Sequence, residues 1–118
     1  MLKIVSSNRF RKDLKQAIRR GYRIELLEEV VTKLVSGVSL EQKYKDHELS
    51  GDFKGLRECH ITPDWLLIYQ IVEDELILYL SRTGTHSDLF WRGYWNSISS
   101  FYVYNMHIKC IKYIDKVP

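Results

Sequence analysis

The stretch WLLIYQIVEDELILYL, residues 65–80, decides the fold. Two apolar runs lie on either side of Glu73 and Asp74, and each run is apolar at both odd and even positions. This pattern predicts two β-strands that are buried on both faces, at residues 65–72 and 75–82, joined by a tight turn at Glu73-Asp74. We therefore expect these strands to occupy the centre of a sheet and not its edge.

The chain before this pair supplies two further strands. Residues 54–61 predict one strand, and Pro63-Asp64 marks the turn after it because proline presets the backbone for a tight reversal. Residues 2–5 predict another short strand at the start of the chain. Residues 38–52 lose periodicity and collect polar side chains, which predicts a structured loop.

Two helices are predicted between the first strand and this loop. The run Ser6-Ser7-Asn8 supplies N-cap chemistry for a helix over residues 8–20. Its apolar positions recur at spacings of three and four, and Gly21 can close it. A second helix is predicted over residues 23–36. The link between these two helices is so short that they are predicted to form a helical hairpin. The order of elements indicates an α+β domain, an antiparallel sheet with the helical hairpin on one face.

Composition narrows the class of protein. The chain has 118 residues, 45% of them hydrophobic and 28% charged, which are ordinary globular values and argue against disorder. The longest apolar run is Trp65–Tyr69, far short of the roughly 20 residues that span a bilayer. The two cysteines form no disulfide framework, which is typical of a reducing compartment. These features predict a soluble, cytoplasmic protein.

Charge is unevenly distributed along the chain. Residues 1–90 carry 14 basic and 14 acidic side chains, so residues 91–118 supply the whole net charge of +3. From Arg9 to Arg23 there are seven basic residues and one acid, Asp13. Such a basic stripe suits a phosphate backbone or an acidic protein partner, and composition does not choose between them.

The chain divides at residue 90. Every predicted helix and strand lies within residues 1–90, so we expect this domain to fold without the rest. Residues 91–118 show no clean periodicity and are predicted to be a C-terminal extension of uncertain structure. They are either a genuine C-terminal element or translated sequence beyond an ancestral stop.

Several residues with acid, base or anion-binding chemistry fall near the ends of predicted elements. Each has an ordinary interpretation: Asp64 as a turn residue, Trp65 as core, and the sequence around His86 as a helix cap. Their coincidence favours a site formed by His47, His60, Asp64, Trp65, Arg82 and His86. No histidine pair has helical i, i+4 spacing, which disfavours a metal centre. Cys59 lies mid-strand, where thiols are mostly inert.

The remaining chemistry is metal-free acid–base cleavage of RNA. RNA carries its own nucleophile, the 2′-hydroxyl, so a protein needs a base, an acid and a cation for the phosphate. Histidine serves both proton roles near neutral pH, and arginine binds phosphate through its planar fork of donors. Aromatic side chains can stack on splayed bases.

Four ordered sequence blocks resemble the YafQ branch of the RelE superfamily, the toxins of bacterial type II toxin–antitoxin modules. These blocks are YKDHELSG (44–51), GLRECHI (55–61), PDWLLIY (63–69) and RTGTHSDLF (82–90). The resemblance covers about residues 1–90 and implies the βααβββ fold of that family. It also implies a ribosome-dependent endoribonuclease that cuts mRNA, with 2′,3′-cyclic phosphate and 5′-hydroxyl products and no cofactor.

The resemblance assigns roles to the candidate residues. His86 corresponds to the proton donor to the leaving 5′-oxygen, and Arg82 to the group that holds the scissile phosphate. The base and phosphate-orienting roles stay open among His47, His60 and Asp64. The substrate pocket would be shaped by Trp65 and Phe90.

The resemblance further implies three partners: the ribosome, mRNA and a cognate antitoxin of the DinJ type with a ribbon-helix-helix fold. No membrane partner is expected. Two alternatives stay open. The first is a non-catalytic protein of the same fold that binds ribosome, RNA or antitoxin, and the second is a metal-dependent hydrolase.

Overall fold

The computed structural model describes residues 1–90, and the predicted extension at 91–118 lies outside the described residues. Within residues 1–90 the chain forms five strands and three α-helices. In chain order they are β1 (Lys3–Ser6), α1 (Asn8–Arg19), α2 (Ile24–Val35), β2 (His47–Glu48), β3 (Arg57–Thr62), β4 (Trp65–Val72), β5 (Ile77–Gly84) and α3 (His86–Phe90). The predicted α+β class and the predicted order of the long elements are confirmed.

The strands form one sheet in the order β1-β5-β4-β3-β2, with the predicted central pair in its interior. The pairs β5–β4, β4–β3 and β3–β2 are antiparallel, as expected. The expectation of a wholly antiparallel sheet is wrong at one edge, because β1 runs parallel to β5, with Val5 opposite Tyr79. The reason is the two-residue strand β2, which lies inside the predicted loop. It reverses the direction of the chain once more between β1 and β5.

Strand β4 has its predicted bounds, whereas β1, β3 and β5 are shifted toward the C-terminus, and the starts of β5 and β3 have clear local causes. The turn after β4 is a 3₁₀ turn over Glu73–Glu75, and Leu76 follows it with a positive φ of 56° and an exposed side chain. Strand β5 therefore begins at Ile77 and not at residue 75. Strand β3 begins at Arg57 because Gly55, with φ of 98°, turns the chain just before it.

The helices begin and end where local chemistry predicts. The Ser7 hydroxyl accepts a hydrogen bond from the Phe10 N–H at 2.8 Å, which caps the start of α1. Gly21, with φ of 80°, follows the end of α1 in the left-handed conformation that favours glycine. Among the described residues, none of these helices has the length and apolar character needed to cross a membrane.

The sheet buries a different set of side chains on each face. The helix-side core joins α1 and α2 to alternate residues of the strands. Its buried members are Phe10, Ala17, Leu27, Val30, Leu34, Tyr44, Cys59, Ile61, Trp65, Leu67, Tyr69, Leu78 and Leu80. The open-side cluster is smaller. It contains buried Leu56, Leu66, Ile68 and Leu89, with Leu49, Phe53 and Phe90 packed against them. The strict alternation along β4 is what separates the two sets.

Truncation after Phe90 should leave the thermal unfolding midpoint within a few degrees of that of the full chain. The physical reason is that residues 1–90 already contain both clusters, and burying a single large apolar side chain is worth about 1.5–3 kcal/mol. Thermal melts of both proteins followed by circular dichroism provide the measurement. A fall of many degrees would show that residues 91–118 contribute to the core and that the domain boundary is wrong.

Candidate active site

His60 and His86 meet on the sheet face opposite to α1 and α2. Cys59 is buried in the helix-side core, and since side chains alternate along a strand, His60 lies on the other face. The register places His60 opposite Leu66, and Leu66 opposite Gly84. Helix α3 begins two residues after Gly84 with His86, whose ring centroid lies 5.9 Å from that of His60. The predicted proximity of these two residues is therefore a consequence of the sheet register.

Two phenylalanines extend this histidine pair into an aromatic wall. The ring centroid of Phe90 lies 6.1 Å from that of His86, one helical turn earlier in α3. Phe53 contacts Phe90 edge-to-face at 5.7 Å. Phe90 was among the predicted site residues, whereas Phe53 was not.

His47 is held near the same face by the two residues that precede the short strand β2. The carboxylate of Asp46 accepts a hydrogen bond from Arg57 at 3.0 Å and another from the Tyr69 hydroxyl. The Nδ1 atom of His47 lies 2.7 Å from the Lys45 carbonyl oxygen. A carbonyl can only accept, so Nδ1 carries the proton, and Nε2 is the nitrogen free to exchange one.

Glu58 is a functional candidate that sequence reasoning missed. Its carboxylate oxygen Oε1 lies 3.7 Å from Nε2 of His47 and 3.7 Å from Nε2 of His60, so each ring forms an ion pair with it when protonated. Only 7% of its side chain is exposed, and a carboxylate so buried needs such partners. The signal was present: Glu58 precedes His60 by two residues on a strand, which puts both on one face.

Arg82 is buried and paired with Asp13 of α1. Its Nε and Nη2 atoms donate to the two Asp13 carboxylate oxygens at 2.7 and 3.2 Å, and the Thr83 N–H donates to the same group at 3.1 Å. Side-chain exposure is 3% for Arg82 and 12% for Asp13. Asp13 thus occupies one edge of the guanidinium that was predicted to hold the scissile phosphate.

Trp65 and Asp64 are not brought into the histidine cluster. Trp65 is buried in the helix-side core, where its Nε1–H donates to the Thr83 hydroxyl at 2.8 Å and its ring contacts Tyr22 at 5.0 Å. Asp64 is exposed in the turn between β3 and β4 and lines a separate cavity of about 340 Å³ beside Trp65 and Arg23. Trp65 is therefore a packing residue in this structure, and the role of Asp64 stays a prediction.

Cys59 behaves as the inert thiol that its mid-strand position predicts. The side chain is fully buried, and burial raises the pKa of its thiol to about 12. A thiol with so high a pKa is protonated at neutral pH and is a poor nucleophile.

The described part of helix α3 is held by a capping box at its start, by a buried leucine and by an ion pair to the end of α1. The Thr85 hydroxyl accepts from the Asp88 N–H at 3.2 Å while the Asp88 carboxylate accepts from the Thr85 N–H at 2.9 Å, a reciprocal capping box. The predicted helical cap is confirmed. Leu89 is completely buried beneath the helix, and Asp88 also binds Arg20 at the end of α1. The Arg20 guanidinium lowers the pKa of Asp88 to about 2.

A basic cleft of about 400 Å³ lies between α1 and the end of β5. One wall presents Lys12, Lys15 and Arg19, which are exposed and have no ion-pair partner within residues 1–90. The other wall includes Arg82 and Gly84. The basic stripe predicted from the sequence is therefore a solvent-facing positive surface in the described part of the chain.

Across residues 1–90, no three histidine, cysteine, aspartate or glutamate side chains are arranged to hold a metal ion. The Glu58 carboxylate lies between His47 and His60 at the ion-pair distances given above.

The model of one protein family, described as the bacterial toxin of type II toxin–antitoxin systems YafQ, matches residues 2–91. The chain belongs to the YafQ family of toxins. The Escherichia coli K12 mRNA interferase toxin YafQ is 40% identical over 85 residues, which is 71% of this chain and 90% of that protein. The family match covers every residue of the histidine cluster.

Solved structures of YafQ-like toxins share the fold. A metal-bound toxin from Helicobacter pylori is 49% identical and covers 76% of this chain and 100% of its own, with a TM-score of 0.73. The toxin in the E. coli DinJ–YafQ complex is 38% identical and covers 76% of this chain and 99% of its own, with a TM-score of 0.70.

The contribution of Asp88 to stability should depend on acid pH. Its pKa is near 3.9 when unfolded and about 2 when folded. A depressed folded pKa stabilises the protein above the unfolded pKa, and that stabilisation disappears as pH falls through the folded value. The difference in unfolding free energy between the wild-type chain and Asp88→Asn should therefore be constant above about pH 5 and shrink between about pH 4 and 2. Urea titrations at each pH measure it, and a difference unchanged down to pH 2 would contradict the prediction.

Proposed function

We propose that this chain is an mRNA interferase, an endoribonuclease that cleaves mRNA on the ribosome and so blocks translation. The observation that carries the proposal is the convergence of three histidines and a buried carboxylate on one face of the sheet. The activity named for the E. coli YafQ relative supports the same function.

In the proposed mechanism, the 2′-hydroxyl of RNA loses its proton to a base and its oxygen attacks the adjacent phosphorus. The bond from phosphorus to the 5′-oxygen breaks, and His86 donates a proton to that oxygen. The products are a 2′,3′-cyclic phosphate and a 5′-hydroxyl. His86 is suited to this role because it is exposed at the start of α3, where RNA can reach it.

The base is proposed to be His47 or His60, with Asp64 as a third candidate. Both histidines present Nε2 toward Glu58, whose negative charge stabilises an imidazolium once a ring has taken the proton. Asp64 lies at a separate cavity, which favours the histidines. Glu58 is accordingly proposed to orient the base and to offset its positive charge.

Arg82 is proposed to supply positive charge to the phosphate. Because Asp13 already occupies Nε and Nη2, a phosphate would contact the other edge of the guanidinium, around Nη1. Phe90 and Phe53 would then form the aromatic wall beside a splayed base.

The partner that controls this activity is proposed to be an antitoxin similar to DinJ. The E. coli YafQ structures that include DinJ support this assignment. The exposed cations Lys12 and Lys15 offer a surface for an acidic segment of the antitoxin, and the same surface suits ribosomal RNA when the antitoxin is absent. Both partners imply a cytoplasmic site of action.

Expression of the chain without a partner should arrest bacterial growth, and His86→Ala should relieve the arrest. Loss of one acid or base typically lowers a rate by about 10²–10⁴-fold, so cleavage of ribosome-bound message should fall by that order. Glu58→Gln keeps the side-chain shape and removes the charge, so it should lower cleavage less than His86→Ala does.

Glu75→Gln is the matched control for Glu58→Gln, because Glu75 is exposed in the turn before β5. The Glu75→Gln variant should cleave ribosome-bound message at the wild-type rate. Folding of each variant is checked by its melting curve. Equal growth with the wild-type chain and His86→Ala, both soluble, would indicate a non-catalytic protein that binds ribosome, RNA or antitoxin.

Cleavage should persist without divalent metal, because the mechanism assigns both proton transfers to side chains. The assay uses ribosome-bound message and the full chain in EDTA, with polyamines to keep the ribosomes assembled. A metal-dependent hydrolase would lose activity in EDTA and regain it when a divalent ion is added back. That outcome would replace the proposed mechanism, and the metal-bound H. pylori relative makes the comparison worth performing.

A further inference from the structure

The ion pair between Arg20 and Asp88 joins two elements that are distant in sequence. Arg20 follows the last residue of α1, and its Nη1 and Nη2 atoms donate to the two Asp88 oxygens at 2.6 and 3.1 Å. Two parallel donors on one carboxylate fix direction as well as distance. The pair therefore constrains how α3 is rotated relative to α1.

Rotation of α3 matters because His86 and Asp88 lie on opposite sides of it. Two residues advance about 200° around a helix of 3.6 residues per turn. Asp88 faces Arg20, so His86 faces the opposite direction, toward His60 and Phe90. Turning Asp88 away from Arg20 would turn the His86 ring away from the histidine cluster.

The described part of helix α3, His86–Phe90, depends on contacts with the rest of the domain for the orientation of its first turn. Five helical residues are marginal in water without such contacts. Leu89 is buried and Phe90 packs against the open-side cluster, but both lie about one turn after His86, at the other end of the described helix. The capping box fixes the first turn internally but does not attach it to the rest of the domain.

The backbone just before α3 is shaped to accept this carboxylate. A Cβ atom built on Gly84 would lie 3.0 Å from both Cβ and Oδ2 of Asp88, closer than side chains normally approach. The absence of a side chain at Gly84 therefore lets Asp88 fold back over the end of β5, where it meets Arg20.

We propose that Arg20 and Asp88 are positioning residues for the cleavage reaction, and that their ion pair sets the orientation of the His86 imidazole. The inference rests on the proposed function of His86 as the proton donor. It adds a residue of α1, far from the histidines in sequence, to the set on which the rate depends. Helix α1 and the residue that follows it then contact two parts of the site: Asp13 pairs with Arg82, and Arg20 pairs with Asp88.

The test compares Arg20→Gln with Arg19→Gln in the full chain. Both changes remove one positive charge from the same end of α1, but Arg19 has no ion-pair partner within residues 1–90. Misplacing a catalytic group by about 1 Å can cost about 100-fold, so kcat for ribosome-bound message should fall about 10- to 100-fold in Arg20→Gln with KM little changed. Arg19→Gln should keep the wild-type kcat, and Arg20→Lys should recover part of the loss.

A double-mutant cycle separates positioning from general destabilisation. Arg20→Gln and Asp88→Asn should each lower kcat, and the double variant should be no slower than the slower single variant, because both remove one interaction. Additive losses, or equal losses in Arg19→Gln and Arg20→Gln, would overturn the inference and indicate a charge effect alone.

A structural measurement keeps this test independent of activity. The imidazole proton signals of His86 in the NMR spectrum should move in Arg20→Gln and Asp88→Asn and stay unchanged in Arg19→Gln. If the wild-type chain does not cleave RNA but these signals move as expected, the proposed function fails and the positioning contact stands. If the signals do not move, the positioning contact is wrong whatever the activity.

Discussion

The antiparallel pairing of β4 with β5 is the constraint on which the other parts of the structure depend. These two eight-residue strands are buried along most of their length, and the strands on either side, β1 and β3, pair directly with β5 and β4. Their register aligns Leu66 with Gly84, and through β3 it also aligns His60. A slip of one residue would exchange the two faces of β4 and carry the end of β5, with His86, away from His60. Stability and the candidate site thus depend on the same register.

The ion pair formed from the middle of α1 differs in burial from the one formed at its C-terminal end. The Asp13–Arg82 pair is almost fully enclosed, and removing one partner from such a pair typically costs about 3–5 kcal/mol because the other charge is left buried. An Arg82→Ala variant would therefore report on folding as well as on any phosphate contact. The Arg20–Asp88 pair is about one-third exposed, so its loss leaves two groups that water can solvate. Variants of Arg20 and Asp88 therefore report on the site with less effect on folding than variants of Arg82 do.

The sequence predicted the parts of the fold that depend on local pattern. The boundaries of β4 and the caps of α1 and α3 follow from apolar runs and from side chains a few residues apart. Features that depend on distant residues were missed, including β2, which is too short to show a pattern and forms only because β3 offers it hydrogen bonds.

The candidate site shows the same difference between features set by local sequence and features set by distant residues. His60 and His86 were predicted to belong to one site; their ring centroids lie 5.9 Å apart, and the roles assigned to them stay predictions. Glu58 was overlooked because an acid within a strand is usually a solvated residue, and its burial between two histidines follows from strand register. Trp65 was predicted to shape the substrate pocket, but alternation along β4 directs it to the helix-side core.

The contacts that complete the domain bring its two ends together. Ser7 with Ser81, Asp13 with Arg82 and Arg20 with Asp88 are separated by 74, 69 and 68 residues. Contacts of such high sequence separation form late and slowly in folding, because a long loop must close before they stabilise anything. During synthesis, α1 has no partner for Asp13 or Arg20 until β5 and α3 have left the ribosome. The nascent chain therefore has no assembled site until β5 and α3 have been made, and its earlier part carries the charges of Asp13 and Arg20 without those of Arg82 and Asp88 up to that point.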